Sequence, residues 1–250
     1  MPRYFLEVAY KGTNYSGFQI QDNASSIQQE VEKALEIFLR RRLTLTTSSR
    51  TDGGVHAVQN FFHCDYEGVI EKRQLYNINA LLPADIVLKE ARQVAPDAHC
   101  RFDALSREYR YYLYRRKDPF LDDRAWFYPY TLDRNKLAAA AALLLEYEDF
   151  TSFAKRNTQV KSFLCTLFES SWAENENGLV YTVKANRFLR GMVRGLVGTM
   201  LQVGRGKLSM EEFAGVLRQK DNRLADFSAP GHGLFLYQVC FPVSIYDSSP

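Results

Sequence analysis

The 250-residue chain lacks any long apolar run. A membrane-crossing helix needs about 18 consecutive apolar residues, so no such span is expected. The opening MPRYFLEVAYKG also lacks the apolar stretch of a secretory signal. Both absences point to a soluble, cytoplasmic protein. Cysteine is scarce. Cys64, Cys100, Cys165 and Cys240 are scattered and form no CxxC pair, which fits reduced thiols rather than a disulfide framework. The four histidines show no zinc-ligand spacing. His56 and His63 are seven apart on one expected strand and so face opposite sides; His99 sits beside Cys100, and His232 stands alone. There is no GxxxxGKS or GxxxxGKT phosphate loop and no GxGxxG after a strand. A GxSxG nucleophile elbow is missing too. No metal and no cofactor is therefore expected.

What remains is an ordinary globular composition, 46% hydrophobic and 24% charged. The net charge of +3 is a weak argument for a polyanionic partner. The kind of cation says more: 21 arginines stand against 11 lysines, and they alternate with aromatics in SREYRYYLYRR and NRFLRGMVRG. Guanidinium groups fork onto phosphates and stack on bases, so this pattern hints at a nucleic acid. Composition alone favours the plainer account, a solvated charged face.

The first hundred residues read β-α-β-β-α-β. RYFLEVAY is a strand, and YKGTNYSGF a glycine-punctuated loop. A helix starts at Ser26 with Gln29 as its capping-box partner, burying Ile27, Val31, Leu35 and Phe38. LTLTTSS and VHAVQNFFHCDYE are strands, KRQLYNINALLP a short helix, and DIVLKEARQVA a further strand. After a connector at PDAHCRFDALS the pattern restarts. REYRYYLYR is a strand, residues 133–146 a helix, and FLCTLFESSWAE and GLVYTVKA are paired strands. Residues 187–203 read as a long helix, Ser209 and Glu212 cap another, and GLFLYQVCF is the last strand. The expected fold is α+β, with mostly antiparallel sheet and helices on one face of each half. The halves are expected to divide at 1–100 and 101–250, with a cleft where they meet.

Two places stand out. Asp52, in SSRTDGGVHA, precedes Gly53-Gly54 between two strands. That is a turn signal. It also suits a carboxylate held near a cleft, with Arg50 two positions away on the same side of an extended chain and able to keep it ionised. Such a carboxylate can serve as nucleophile or base. The local residues leave both readings open. In the 187–203 helix, Arg187, Arg190 and Arg194 are expected on one face, interleaved with Gly191, Gly195 and Gly198. Each helical glycine costs about 1 kcal/mol relative to alanine, so close approach is expected there, either of packing neighbours or of an anion. On the strand after residue 105, Tyr109 shares a face with Arg107 and Tyr111.

SRTDGGVHA resembles the catalytic motif of the TruA-type tRNA pseudouridine synthases. YFLEVAYKGTNYSGFQIQDNASSIQQEVEKAL, NALLPADI, HCRFDALSREYRYYLY, DFTSF, NRFLRGMVRGLVGTM and APGHGLFLYQV resemble further landmarks of that family, in the same order along nearly the whole chain. The resemblance implies two ferredoxin-like β-α-β-β-α-β halves in a homodimer. It implies cofactor-free isomerisation of uridine to pseudouridine in the anticodon arm of tRNA, at positions 38 to 40. It assigns Asp52 as the catalytic aspartate and Arg50 to displacing the base. Tyr109 would stack on the target ring, and Arg194 would pair with the carboxylate. The chain departs from the family at Ser49 for glycine and Gly53 for alanine, and at Cys165, where an arginine is expected.

Overall fold

A computed structural model describes residues 1–155 and 160–246. In chain order its strands and α-helices are β1 (Arg3–Tyr10), α1 (Ile27–Leu39), β2 (Thr46–Thr47), β3 (His56–Asp65), α2 (Gln74–Asn79), β4 (Ile86–Val94), β5 (Ser106–Tyr114), β6 (Trp126–Phe127), α3 (Arg134–Leu143), β7 (Leu167–Asn175), β8 (Gly178–Ala185), α4 (Met192–Gly204), α5 (Met210–Gln219) and β9 (Leu234–Cys240). The fold is mixed α+β. Its contacts divide the chain into two compact units, one of residues 1–105 with 235–250, the other of residues 106–234.

In the first unit, β1 lies between β4 and β3, antiparallel to both. β2 pairs with the far end of β3, Thr46 opposite His63, and β9 joins its near end in parallel, His56 opposite Phe235. Alternation along β1 sends Tyr4, Leu6, Val8 and Tyr10 to one face, all of them buried. Phe18 stacks on Phe62 at 4.7 Å in this core, and α1 contributes Ile27, Val31, Ala34 and Leu35. Ser26 caps α1, its side chain accepting from the Gln29 amide. The strand expected over LTLTTSS shrinks to two residues. Leu43 and Leu45 are buried, but the Leu45 amide donates to Glu32 Oε1 at 3.2 Å and its carbonyl accepts from Gln28 Nε2 at 3.0 Å. Helix side chains satisfy this backbone in place of a neighbouring strand.

In the second unit, β8 lies between β5 and β7, antiparallel to both, and β6 pairs in parallel with β5. Helices α3, α4 and α5 pack on one another. Asp133 caps α3, and Ser209 and Glu212 form the full capping box of α5. The helix expected from residue 187 begins only at Met192. Gly191, at φ +74°, is its N-cap, and the Arg190 carbonyl accepts from the Lys155 amide at 3.0 Å rather than continuing a helix. Arg187 and Arg190 therefore lie outside α4 and share no helical face with Arg194. The glycines of α4 have packing causes. A Cβ on Gly198 would stand 2.2 Å from the Asp226 carbonyl oxygen, and one on Gly195 2.8 Å from the Phe227 ring.

Candidate functional site

Asp52 sits in the first unit, half-buried, while Arg50 beside it is exposed. The turn reading of the Asp-Gly-Gly sequence is correct as local structure. Val55 N donates to the Asp52 carbonyl at 3.2 Å, and Gly54 at the third position has φ +77°, a conformation glycine adopts freely. No tight hairpin results, because β2 pairs far along β3. Residues 48–55 form an excursion that the core grips from several sides. The Thr51 carbonyl accepts from Phe18 N at 3.1 Å, and Gly54 N donates to the Tyr15 carbonyl at 3.3 Å. Asp52 forms an isolated bridge with Gly17.

Beneath this excursion lies a polar network that sequence reasoning missed. Asn60 is fully buried on β3. Its Nδ2 donates to the Ser49 carbonyl at 2.9 Å and to the Tyr10 hydroxyl at 3.2 Å. The Tyr10 hydroxyl is 2.8 Å from Thr51 Oγ1. Both residues flanking Arg50 are thus tied to β1 and β3. The available signal was an amide side chain beside the apolar pair Phe61-Phe62 on an expected strand, since a buried amide must find partners. Gly12 is a second missed residue. A Cβ there would lie 2.0 Å from the Val55 carbonyl oxygen, and its amide donates to His56 Nδ1 at 3.0 Å. His56 is accordingly a buried structural acceptor. His63 accepts from the Cys100 amide at 3.3 Å. Among the described residues no group of three or more His, Cys, Asp or Glu is arranged to hold a metal ion.

Tyr109 and Arg194 belong to the second unit. Tyr109 is buried on β5, its ring edge-on to Phe188 at 5.0 Å. Arg107 on the same face donates through Nη1 to the Asn186 carbonyl at 3.1 Å. Arg194, half-buried in the first turn of α4, donates through Nε to the Ala229 carbonyl at 2.6 Å. The next residue in that loop is fixed as well, because Tyr111 Oη donates to the Pro230 carbonyl at 2.9 Å. A Cβ on Gly233 would meet the Tyr111 ring at 2.7 Å, so the loop lies directly on that ring. Tyr111 thus links the strand that carries Tyr109 to the loop that carries the arginine's acceptor. Burial lowers the pKa of His232 in this loop; Asp122 and Asp123 oppose the shift, and Arg194 adds to it.

The four site residues divide two and two between the units, and each pair is anchored within its own unit. Of the departures, Ser49 contributes its carbonyl to Asn60. An alanine Cβ at position 53 would stand 3.3 Å from the Ser16 carbonyl oxygen, tight but close to ordinary contact. Cys165 is buried, and burial pushes its thiol up to about 11.

A family model described as tRNA pseudouridine synthase matches residues 140–242, a stretch that includes Arg194 and the Ala229–Gly233 loop. The tRNA pseudouridine synthase A of Bacteroides thetaiotaomicron is 46% identical over 251 residues, covering 99% of this chain and 93% of that protein. That of Bacteroides fragilis is 45% identical, covering 98% of each. The protein of the same name in Staphylococcus aureus strain N315 is 38% identical, over 95% of this chain and 90% of that protein. With such identity along nearly its whole length, the chain belongs to the tRNA pseudouridine synthase A family, isomerases that convert uridine to pseudouridine in tRNA.

Proposed function

We propose that this enzyme isomerises uridines of the tRNA anticodon stem-loop, at positions 38, 39 and 40, with Asp52 as the catalytic carboxylate. The N1–C1′ bond breaks, the uracil turns, and a C5–C1′ bond forms. The hydrogen leaves C5 and N1 gains one, so the reaction is redox-neutral and uses no cofactor. A uridine in a stem must first leave its stack, at a cost of a few kcal/mol. Arg50, exposed beside the turn, fills the space left behind. Tyr109 caps the extruded base, and Arg194 pairs with the Asp52 carboxylate. In this reading the two ferredoxin-like halves, 1–100 and 101–250, supply the carboxylate and the base-holding groups respectively. The enzyme works as a cytoplasmic homodimer.

The observation that carries the reading is the way the Asp52 turn is built. A turn needed only to reverse the chain does not require a buried Asn60–Tyr10–Thr51 network and a glycine seated against Val55. That construction fixes the main chain that carries half-buried Asp52, as preorganised catalysis demands. The test is tritium release from tRNA carrying C5-labelled uridine. The wild-type enzyme should release it, and Asp52→Ala, which removes the carboxylate, should lose all measurable turnover. Full activity in Asp52→Ala overturns the catalytic assignment. Release only from RNA lacking an anticodon arm overturns the substrate assignment.

A further inference from the structure

The loop joining β5 to β6, RRKDPFLDDR, touches the site described above only through the charges of Asp122 and Asp123 on His232; its other residues have no part in it. Its fold is tightly specified. Arg115 N donates to the Asn177 carbonyl at 3.3 Å, tying the start of the loop to the β7–β8 turn. Asp118 accepts at Oδ1 from Phe120 N at 2.8 Å, and its carbonyl accepts from Leu121 N at 3.2 Å. The Leu121 carbonyl then accepts from the amides of Arg124 and Ala125, at 3.0 and 2.9 Å. Pro119 removes one backbone freedom more. This is an ordered turn, and Phe120 at its tip is 81% exposed. A large apolar ring held out in water by a fixed turn has a cost that its own fold does not repay.

The charges of the loop are sorted. Its acids are directed within the unit: Asp118 caps the turn, Asp123 pairs with Arg124 at 3.1 Å, and Asp122 lies near the Tyr114 phenol, whose pKa burial raises with help from that carboxylate. Arg115, Arg116 and Lys117 are exposed and form no ion pair among the described residues. The outward surface therefore carries three consecutive cations and one aromatic face. Cations suit phosphates, and an exposed ring offers a stacking platform for a base.

We propose that this loop is a second contact for the tRNA substrate, with Arg115, Arg116 and Lys117 on backbone phosphates and Phe120 stacked on an unpaired base. The proposal rests on tRNA being the substrate, and not on the roles given to Asp52, Tyr109 and Arg194. It is tested by binding isotherms of unmodified tRNA over a range of KCl concentrations. Three phosphate contacts on single-stranded RNA contribute about 2 to the slope of log affinity against log salt, at roughly 0.7 each. The triple variant Arg115→Ala, Arg116→Ala, Lys117→Ala should lose about that much slope and bind at least tenfold more weakly at low salt. Phe120→Ala should bind about tenfold more weakly with the slope unchanged, as expected for one lost stacking contact. Phe120→Tyr, which keeps the ring, should bind like wild type. Unchanged affinity and slope in the triple variant overturn the proposal, as does unchanged affinity in Phe120→Ala. A Phe120→Ala protein that changes oligomeric state while binding tRNA as before also overturns it, and assigns the loop to a second copy of the chain. Tritium release by Asp52→Ala reads the catalytic assignment alone and these isotherms read the loop alone, so either can fail while the other stands.

Discussion

In the first unit the carboxylate is held through main chain. Asp52 sits in a turn whose carbonyls and amides bond to Phe18, Tyr15 and Val55, and the side chains beneath it, Asn60 and Tyr10, grip the residues flanking Arg50. In the second unit the candidate groups are held through side chains. The Arg194 guanidinium reaches the Ala229 carbonyl, the Tyr111 phenol reaches the Pro230 carbonyl, and Tyr109 leans on Phe188. The difference follows from reach. Aspartate is short, so aiming it means fixing its backbone. Arginine is long, and a bond at Nε sets the plane of the whole fork. The two units should therefore fail differently. Backbone crowding should be severe in the first, and loss of a single hydroxyl graded in the second.

The largest effect is expected at Gly12. An alanine Cβ there would overlap the Val55 carbonyl, which belongs to the backbone and lies three residues beyond Asp52. Overpacking against backbone costs about 3 kcal/mol, so Gly12→Ala should lower Tm by roughly 10 °C. Turnover in the tritium-release assay should fall at least a hundredfold. Near-normal activity would mean that the turn tolerates displacement and that its main-chain anchoring does not aim the carboxylate.

Acid should weaken the first unit through His63. Burial, with help from His99 and Arg3, depresses its pKa to about 4, against the opposing pull of Asp65 and Asp103. The unfolded chain binds a proton near the ordinary value of about 6.5 and the folded chain does not. Stability from this group is thus complete above about 6.5, and it falls by about 1.4 kcal/mol per pH unit as pH drops from there toward 4. At pH 5 the loss is about 2 kcal/mol. Thermal melts of wild type and His63→Gln at pH 7 and pH 5 check this: the wild-type Tm should drop more between the two, and equal drops would refute the assignment. Cys100, whose amide donates to His63, and His99, whose ring meets it edge-on at 4.6 Å, are the neighbours to watch in such melts.

Tyr111→Phe is the milder probe of the second unit. It keeps the ring that supports Gly233 and removes only the bond to the Pro230 carbonyl. A net loss of about 1 kcal/mol is expected, with kcat about fivefold lower and KM for tRNA unchanged, because the loop that carries the Arg194 acceptor loosens. An unchanged kcat beside a lowered Tm would reduce Tyr111 to a packing role.

Much of this arrangement was legible in the residues. The order of elements in the first hundred positions, the caps at Ser26, Asp133 and Ser209, and the strand carrying Tyr109 all follow from local pattern, and local pattern is where propensity and capping act. The failures have one physical source. LTLTTSS has the composition of a strand, but α1 side chains took its backbone partners. Residues 187–191 have the spacing of a helix, but Gly191 adopts a left-handed conformation and the chain turns there. In both cases partners distant in sequence decided the outcome. The same limit hid Asn60 and Gly12, whose importance lies wholly in what they touch. At Asp52 the sequence left a turn and a catalyst as alternatives. The structure shows the turn, and the family match bears on the chemistry without identifying the residue that performs it.

Gly53→Ala is the smallest and the most discriminating change. It lies in the same turn as Gly54, yet its φ is not positive, so alanine is allowed by the backbone. Its Cβ would meet the Ser16 carbonyl at 3.3 Å, against 2.0 Å for the Gly12 case. A few tenths of an ångström of relief suffices. The lost freedom of the unfolded chain contributes about 0.4–1 kcal/mol in favour of alanine, which offsets the crowding. The expected result is a Tm within a few degrees of wild type and activity within threefold. If Gly53→Ala instead behaves like Gly12→Ala, the rigidity of the turn resides in its own two glycines, and the contrast between a main-chain-held carboxylate and a side-chain-held arginine must be redrawn around the turn alone.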